Sequence, residues 1–119
     1  MNATVAPDPY DPSPGTEYAY PLSDYARAAR RFLGSDWGAE SGWHGASGLL
    51  FTRDARVSLR LAVDHEDDLH LDGFDASGPR TIYIMAEQRP EGPPSDAEDM
   101  AEWGRAIAAV VTATVTRIP

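Results

Sequence analysis

The chain has 119 residues, no Cys and no Lys, and its ten Arg face nineteen Asp and Glu for a formal charge of −9. That length fits one domain with one modest core. The missing Cys excludes disulfide frameworks, thiolate nucleophiles, Cys-ligated zinc and iron–sulfur clusters, and the acidic excess argues against general nucleic-acid binding and against anionic lipid surfaces.

Residues 1–21 contain five prolines, three tyrosines and three acids. Fixed φ and missing donors at Pro7, Pro9, Pro12 and Pro14 disfavour a helix or a central strand. A disordered acidic tail is therefore expected over 1–21, followed by a single domain over 22–119. Tyr18 and Tyr20 sit near enough to pack onto that domain. The tail has no basic n-region and no apolar run, so the expected compartment is the cytoplasm.

Helical spacing begins next. Asp24–Leu33 carries Tyr25, Ala28, Ala29 and Phe32 on one face, with Ser23 as the expected N-cap and Gly34 as the C-terminal stop. Arg27, Arg30 and Arg31 fall on the other face, either as a solvated surface or as a carboxylate-binding site.

Residues 35–48 (SDWGAESGWHGASG) read as a glycine-rich loop holding Trp37, Trp43 and His44. The Gly spacing fails as a dinucleotide fingerprint, because a helix precedes it and a strand follows. The tryptophans either cover one end of the core or form a binding surface, since Trp is enriched at interface hot spots.

Four strands are expected: Gly48–Thr52, Arg56–Val63, Leu69–Phe74 and Arg80–Ala86. In the second, Val57, Leu59, Leu61 and Val63 alternate with Ser58, Arg60 and Ala62. Asp75–Pro79 is strong turn chemistry. Short connections make the strands an antiparallel meander. A second helix follows a Ser95/Glu98 capping box and carries Met100, Trp103, Gly104, Ile107, Val110, Val111 and Val115 towards the core. It is expected to stop near Ala113, with a terminal strand from Val110 as the competing reading.

The order gives an α+β two-layer sandwich, a four-stranded antiparallel meander with an N-terminal and a C-terminal helix packed on one face. The covered face is Val57, Leu59, Leu61, Val63, Leu69, Leu71, Ile82 and Ile84. The opposite face would show Leu50, Arg60, His70, Asp72, Tyr83 and Met85, too apolar to ignore and too polar to be a core.

The densest polar run is Asp64-His65-Glu66-Asp67-Asp68. Read as an EF-hand loop it places Leu69 and Asp75 where Gly and Glu are required, so no metal and no cofactor is assigned. His44, His65 and His70 are the candidate general bases, but Ser47 lies outside a nucleophile elbow and no catalytic set stands out. The expectation is a small acidic non-enzymatic interaction module: an adaptor, inhibitor, immunity-type or regulatory protein. Its contact residues would be Trp37, Trp43, His44, Arg60, His70, Tyr83 and Met85. Asp64, Glu66, Asp67, Asp68, Asp96 and Asp99 would supply an acidic surface for a basic protein partner, and the open sheet face also allows a homodimer. The alternatives are a small-molecule pocket between the Gly/Trp loop and the sheet, or a small His-dependent enzyme.

Overall fold

The computed structural model describes residues 20–42, 47–64, 66 and 68–116. Along the chain these form α1 (Leu22–Leu33), β1 (Trp37–Ser41), β2 (Gly48–Thr52), β3 (Ser58–Val63), β4 (Leu69–Asp75) and β5 (Gly78–Tyr83). A short 3-10 turn (Ala86–Gln88) then leads to α2 (Ala97–Thr114). The strands make one antiparallel sheet in chain order, β1-β2-β3-β4-β5. The α+β class and the helix–meander–helix order stand, with five strands instead of four.

The added strand is β1, which the sequence presents as loop. One glycine, an Ala and a Glu give Trp37–Ser41 little intrinsic strand preference. Pairing with β2 supplies what the residues lack, with Gly38 opposite Phe51 and Ala39 opposite Leu50. The Phe51 ring lies over Gly38 so closely that a Cβ there would be 2.6 Å from it. An aromatic ring covering a cross-strand glycine is a known way to hold such a position in a sheet.

The helices lie on one sheet face. Tyr25, Leu50, Leu59, Leu61, Leu71, Met100 and Ile107 are fully buried in a single cluster, joined by Trp37, Trp103, Ile82 and Ile84. Leu50, expected on the opposite face, points into this core. An unbroken apolar run in β2 offers no alternation to read, and the register decides: Leu50 pairs with Leu59, whose side chain is inward. Gly48 faces the same way, and α1 crosses it at close range; a Cβ there would fall 2.6 Å from the Ala26 methyl.

Both helix starts differ from expectation in detail. Helix α1 begins behind Pro21, and Ser23 is a buried residue of its first turn instead of its cap. Proline pre-sets a φ that the helix can use, and the Asp24 N–H donates to the Pro21 carbonyl at 2.9 Å. Tyr20, just before, is 2% exposed, in keeping with the expected packing of that ring. Phe32 leaves the core for the surface, where the Arg105 guanidinium sits 4.7 Å from its ring centre. The core face follows Leu22, Tyr25, Ala26 and Ala29 instead, the true 3.6-residue track.

Helix α2 is capped by Asp96, whose carboxylate accepts from the Asp99 N–H at 2.9 Å. Asp99 reaches back and accepts from the Ser95 N–H and hydroxyl at 3.1 and 2.6 Å. The capping set is thus one residue further along than Ser95/Glu98. These bonds from Ser95 hold the Asp99 carboxyl below its ordinary range. The helix runs to Thr114, so Val110 and Val111 are helical and buried. Gly104 lets the helices meet, since its position lies against the backbone of Ala28.

The end of α2 is clasped by the β4–β5 turn. Asp75 accepts from the Thr116 N–H at 2.8 Å, and the Ala76 N–H donates to the Thr116 carbonyl at 2.8 Å. Arg80 pairs with Asp75 at 3.2 Å and also donates to the Thr114 carbonyl. No helix among the described residues is long and apolar enough to cross a membrane.

Candidate functional site

With both helices on one side, the other side of the sheet is built entirely from alternate strand residues. The registers align Glu40, Leu49, Arg60, Asp72 and Thr81 in one cross-strand row. A second row holds Gly38, Phe51, Ser58, Phe74 and Pro79, and a shorter third holds Ala62, His70 and Tyr83. Neither helix packs over these rows, although Ala62 and His70 of the third are buried. Phe74 and Tyr83 are 45% and 46% exposed, and Leu49 and Phe51 are half-buried.

Arg60 and Asp72 form the polar centre of this face. The guanidinium meets the carboxylate through two bonds, Nη2 to Oδ2 at 3.1 Å and Nε to Oδ1 at 3.3 Å. That fork, and then the attraction between the charges, raises the Arg60 pKa above its ordinary value. The His70 Nε2 lies 3.5 Å from the same carboxylate, and its Nδ1 faces the Asp68 carbonyl at 3.4 Å. Its ring leans on Tyr83, with centres 5.4 Å apart and planes tilted by 37°. His70 is only 9% exposed, so Tyr83 rather than the imidazole is the part a visitor would meet.

Past the end of β5 the face runs into a groove of about 540 Å³. It is lined by Asp64, Glu66, Asp68, Tyr83, Met85 and Arg89, among others. Met85 is 53% exposed there. The three carboxylates come within 4.8 Å of one another. Asp64 is itself the organiser of its loop, accepting from the Glu66 and Asp68 N–H groups at 2.9 and 3.0 Å. Surface acids of this kind are common without an ion, and no metal is assigned to them.

A second groove, of about 500 Å³, lies between residues 87–93 and α2. Asp99, Glu102, Trp103 and Arg105 belong to it, and Arg89 lines both grooves. Arg89 is thus shared by the groove of Asp64, Glu66 and Asp68 and the groove of Asp99 and Glu102. Trp103 is held by its indole N–H, which donates to the Gly92 carbonyl at 3.2 Å, with Arg89 over its ring at 5.9 Å.

The structure thus brings Arg60, His70, Tyr83 and Met85 to one continuous surface with Asp64, Glu66 and Asp68 at its rim. Trp37 does not join them: its side chain is buried on the helix side, and its carbonyl accepts from Arg30 Nε at 2.9 Å. Even spacing along β1 sets that side, because Trp37 pairs with the inward Thr52. Trp37 borders a cleft of about 220 Å³ between the ends of α1 and α2. Asp96 and Asp99 are engaged as α2 caps. Trp43, His44, His65 and Asp67 lie outside the described residues.

Arg27 and Arg30, read as a candidate carboxylate site, tie α1 to its own neighbours. Arg27 binds Asp24 at 2.9 Å and the Ser41 hydroxyl at 2.6 Å. The sequence reading omitted Phe51, Phe74 and Leu49 from the outer face. Phe74 follows Asp72 at the strand period and was visible in that alternation; Phe51 and Leu49 needed the β2 register. Comparison of the chain with protein-family models, with curated proteins and with solved structures finds no match.

Proposed function

We propose that this chain is a small acidic interaction module that docks a partner protein on the outer face of its sheet. One observation carries the reading: both helices cover the same face, and among the described residues the other leaves Phe74 and Tyr83 nearly half exposed, with Leu49 and Phe51 half-buried on that same face. Large apolar side chains left exposed together on one face mark interaction sites in soluble proteins. Tyr and Arg are the residue types that most often dominate such contacts, and Tyr83 and Arg60 occupy adjacent cross-strand rows here.

The rim indicates the partner's chemistry. Glu40 on β1 and Asp64, Glu66 and Asp68 past the end of β5 lie at the margins of this face, and the chain as a whole carries −9. A protein with an apolar patch flanked by Arg or Lys is complementary on both counts, and opposite charge speeds the encounter. A second copy would set like charges against each other within the screening distance of about 8–10 Å. Arg60 and Asp72 arrive already paired, so covering them leaves no lone charge behind.

The test compares affinity capture by the native chain with capture by Phe74→Ser and Tyr83→Ser, at low and at high salt. A stoichiometric protein that elutes with salt and is lost in both variants supports the reading. A partner retained by both folded variants refutes it.

A further inference from the structure

The two edges of the sheet are treated differently, and the difference points to how a partner engages. An antiparallel strand turns alternate residues' N–H and C=O groups to one neighbour and the rest to the other side. At β1 the outward residues are Trp37, Ala39 and Ser41, as the Arg53 N–H to Asp36 carbonyl and Gly42 N–H to Ser47 carbonyl bonds require. That edge is guarded by α1. The Trp37 N–H donates to the Gly34 carbonyl at 3.1 Å, the Trp37 carbonyl accepts from Arg30, and Arg27 reaches Ser41.

Among the described residues the β5 edge has no such guard. The Ile84 N–H donates to the Leu69 carbonyl at 3.0 Å, which fixes the parity of the β4–β5 ladder. Arg80, Ile82 and Ile84 turn their backbone groups to β4, while Thr81 and Tyr83 turn theirs away from the sheet. Among the described residues no hydrogen bond reaches those outward groups of Thr81 and Tyr83. Pro79, which has no N–H to offer, stands near the far end of the strand. Exposed edges of this kind template the addition of a further strand, and natural proteins usually blunt them.

We infer that the free edge of β5 takes an extended segment of the partner as a sixth strand. This rests on the reading of the outer face as a docking surface and names the form of the docked element. The added strand's outer side chains would continue the rows ending in Thr81 and Tyr83. The position beside Tyr83 opens on the groove that holds Asp64, Glu66 and Asp68 against one cation, Arg89, so a basic side chain is complementary to the acidic excess there. Alternate side chains would lie beside the inward Ile82 and Ile84, where apolar groups fit. The occupant is therefore an extended segment of alternating basic and apolar residues. The β5 strand of a second copy offers instead a single Arg, Arg80, whose side chain faces inward and is already bound to Asp75.

The probe is an acetylated, amidated peptide of alternating Val and Arg, about seven residues long. Its control carries the same side chains but is N-methylated wherever an N–H would face β5. Strand addition predicts that the first peptide slows amide exchange at Thr81 and Tyr83. It also predicts that the N-methylated peptide binds about tenfold or more weakly, because only backbone donors differ. Thr81→Pro should weaken the first peptide similarly, since its lost N–H points away from β4, and circular dichroism checks its fold. Equal binding of both peptides, with exchange at Thr81 and Tyr83 unchanged, would overturn the inference even if Thr81→Pro failed to fold. Self-association in ultracentrifugation that Thr81→Pro abolishes would also overturn it, by assigning the edge to a second copy. Failure of the docking reading is separately visible, as undiminished partner capture by Phe74→Ser.

Discussion

Gly104→Ala tests how closely the two helices are layered, and so why the helix side of the sheet is closed and the other open. A Cβ built at position 104 would lie 2.5 Å from the Ala28 carbonyl carbon, 2.6 Å from its oxygen and 2.7 Å from its methyl. On propensity alone the change would stabilise a helix by about 1 kcal/mol. Overpacking costs about 1–3 kcal/mol, and a backbone neighbour that cannot rotate away puts this site at the upper end. The net expectation is a loss of about 2 kcal/mol, or about 8 °C in Tm at about 4 °C per kcal/mol for a domain of this size. Urea titration followed by the fluorescence of buried Trp37 and Trp103 gives the number. Adding Ala28→Gly should not rescue the variant, because two of the three close atoms belong to the Ala28 backbone. A Gly104→Ala protein as stable as its parent, or more stable, would refute the close crossing.

Trp37→Ala should cost about 3–5 kcal/mol in the same titration, as expected for a buried Trp, whereas a contact residue would change binding and leave stability alone. Asp75 is held below its ordinary range chiefly by the Thr116 N–H, with further help from Ser77 and Arg80. Its contribution is therefore present above about pH 4 and disappears as pH falls through the lower folded value. Asp75→Asn should lower Tm at neutral pH and flatten the acid limb of a Tm–pH curve; an unchanged limb would contradict the clasp. Phe74→Ser and Tyr83→Ser should each shift stability by no more than about 0.5 kcal/mol, as surface changes do, and a larger loss would mean that the face is already covered.

Where the sequence alternates or repeats at a helical period, the fold was legible from it. Leu59 and Leu61 against Arg60, Leu69 and Leu71 against His70 and Asp72, and the Met100–Ile107–Val111 stripe all lie where their spacing puts them. What stayed hidden depends on partners distant in sequence. Strand β1 has a weak propensity of its own and exists through its pairing with β2. Leu50 sits in an unbroken apolar run whose face only the register with Leu59 selects. Trp37 carried two readings, and the core took it because β1 is a strand whose Trp37 side faces the helices. Arg60, His70 and Tyr83 converge on one surface because their strands are adjacent, a neighbourhood that short turns already implied. That Arg89 lines one groove with Asp64, Glu66 and Asp68 and another with Asp99 could not be read, since these residues are brought near it only by folding.

The central claim is that the partner covers the outer sheet face, and oxidative footprinting measures this directly. Phe74, Tyr83 and Met85 are exposed and oxidisable on or beside that face, while Phe32 is 40% exposed on the helix side and serves as an internal reference. In the complex recovered by affinity capture, Phe74, Tyr83 and Met85 should become protected while Phe32 reacts as it does in the free chain. Protection at Phe32 with Phe74 and Tyr83 unchanged would contradict the account and move the interface to the helices.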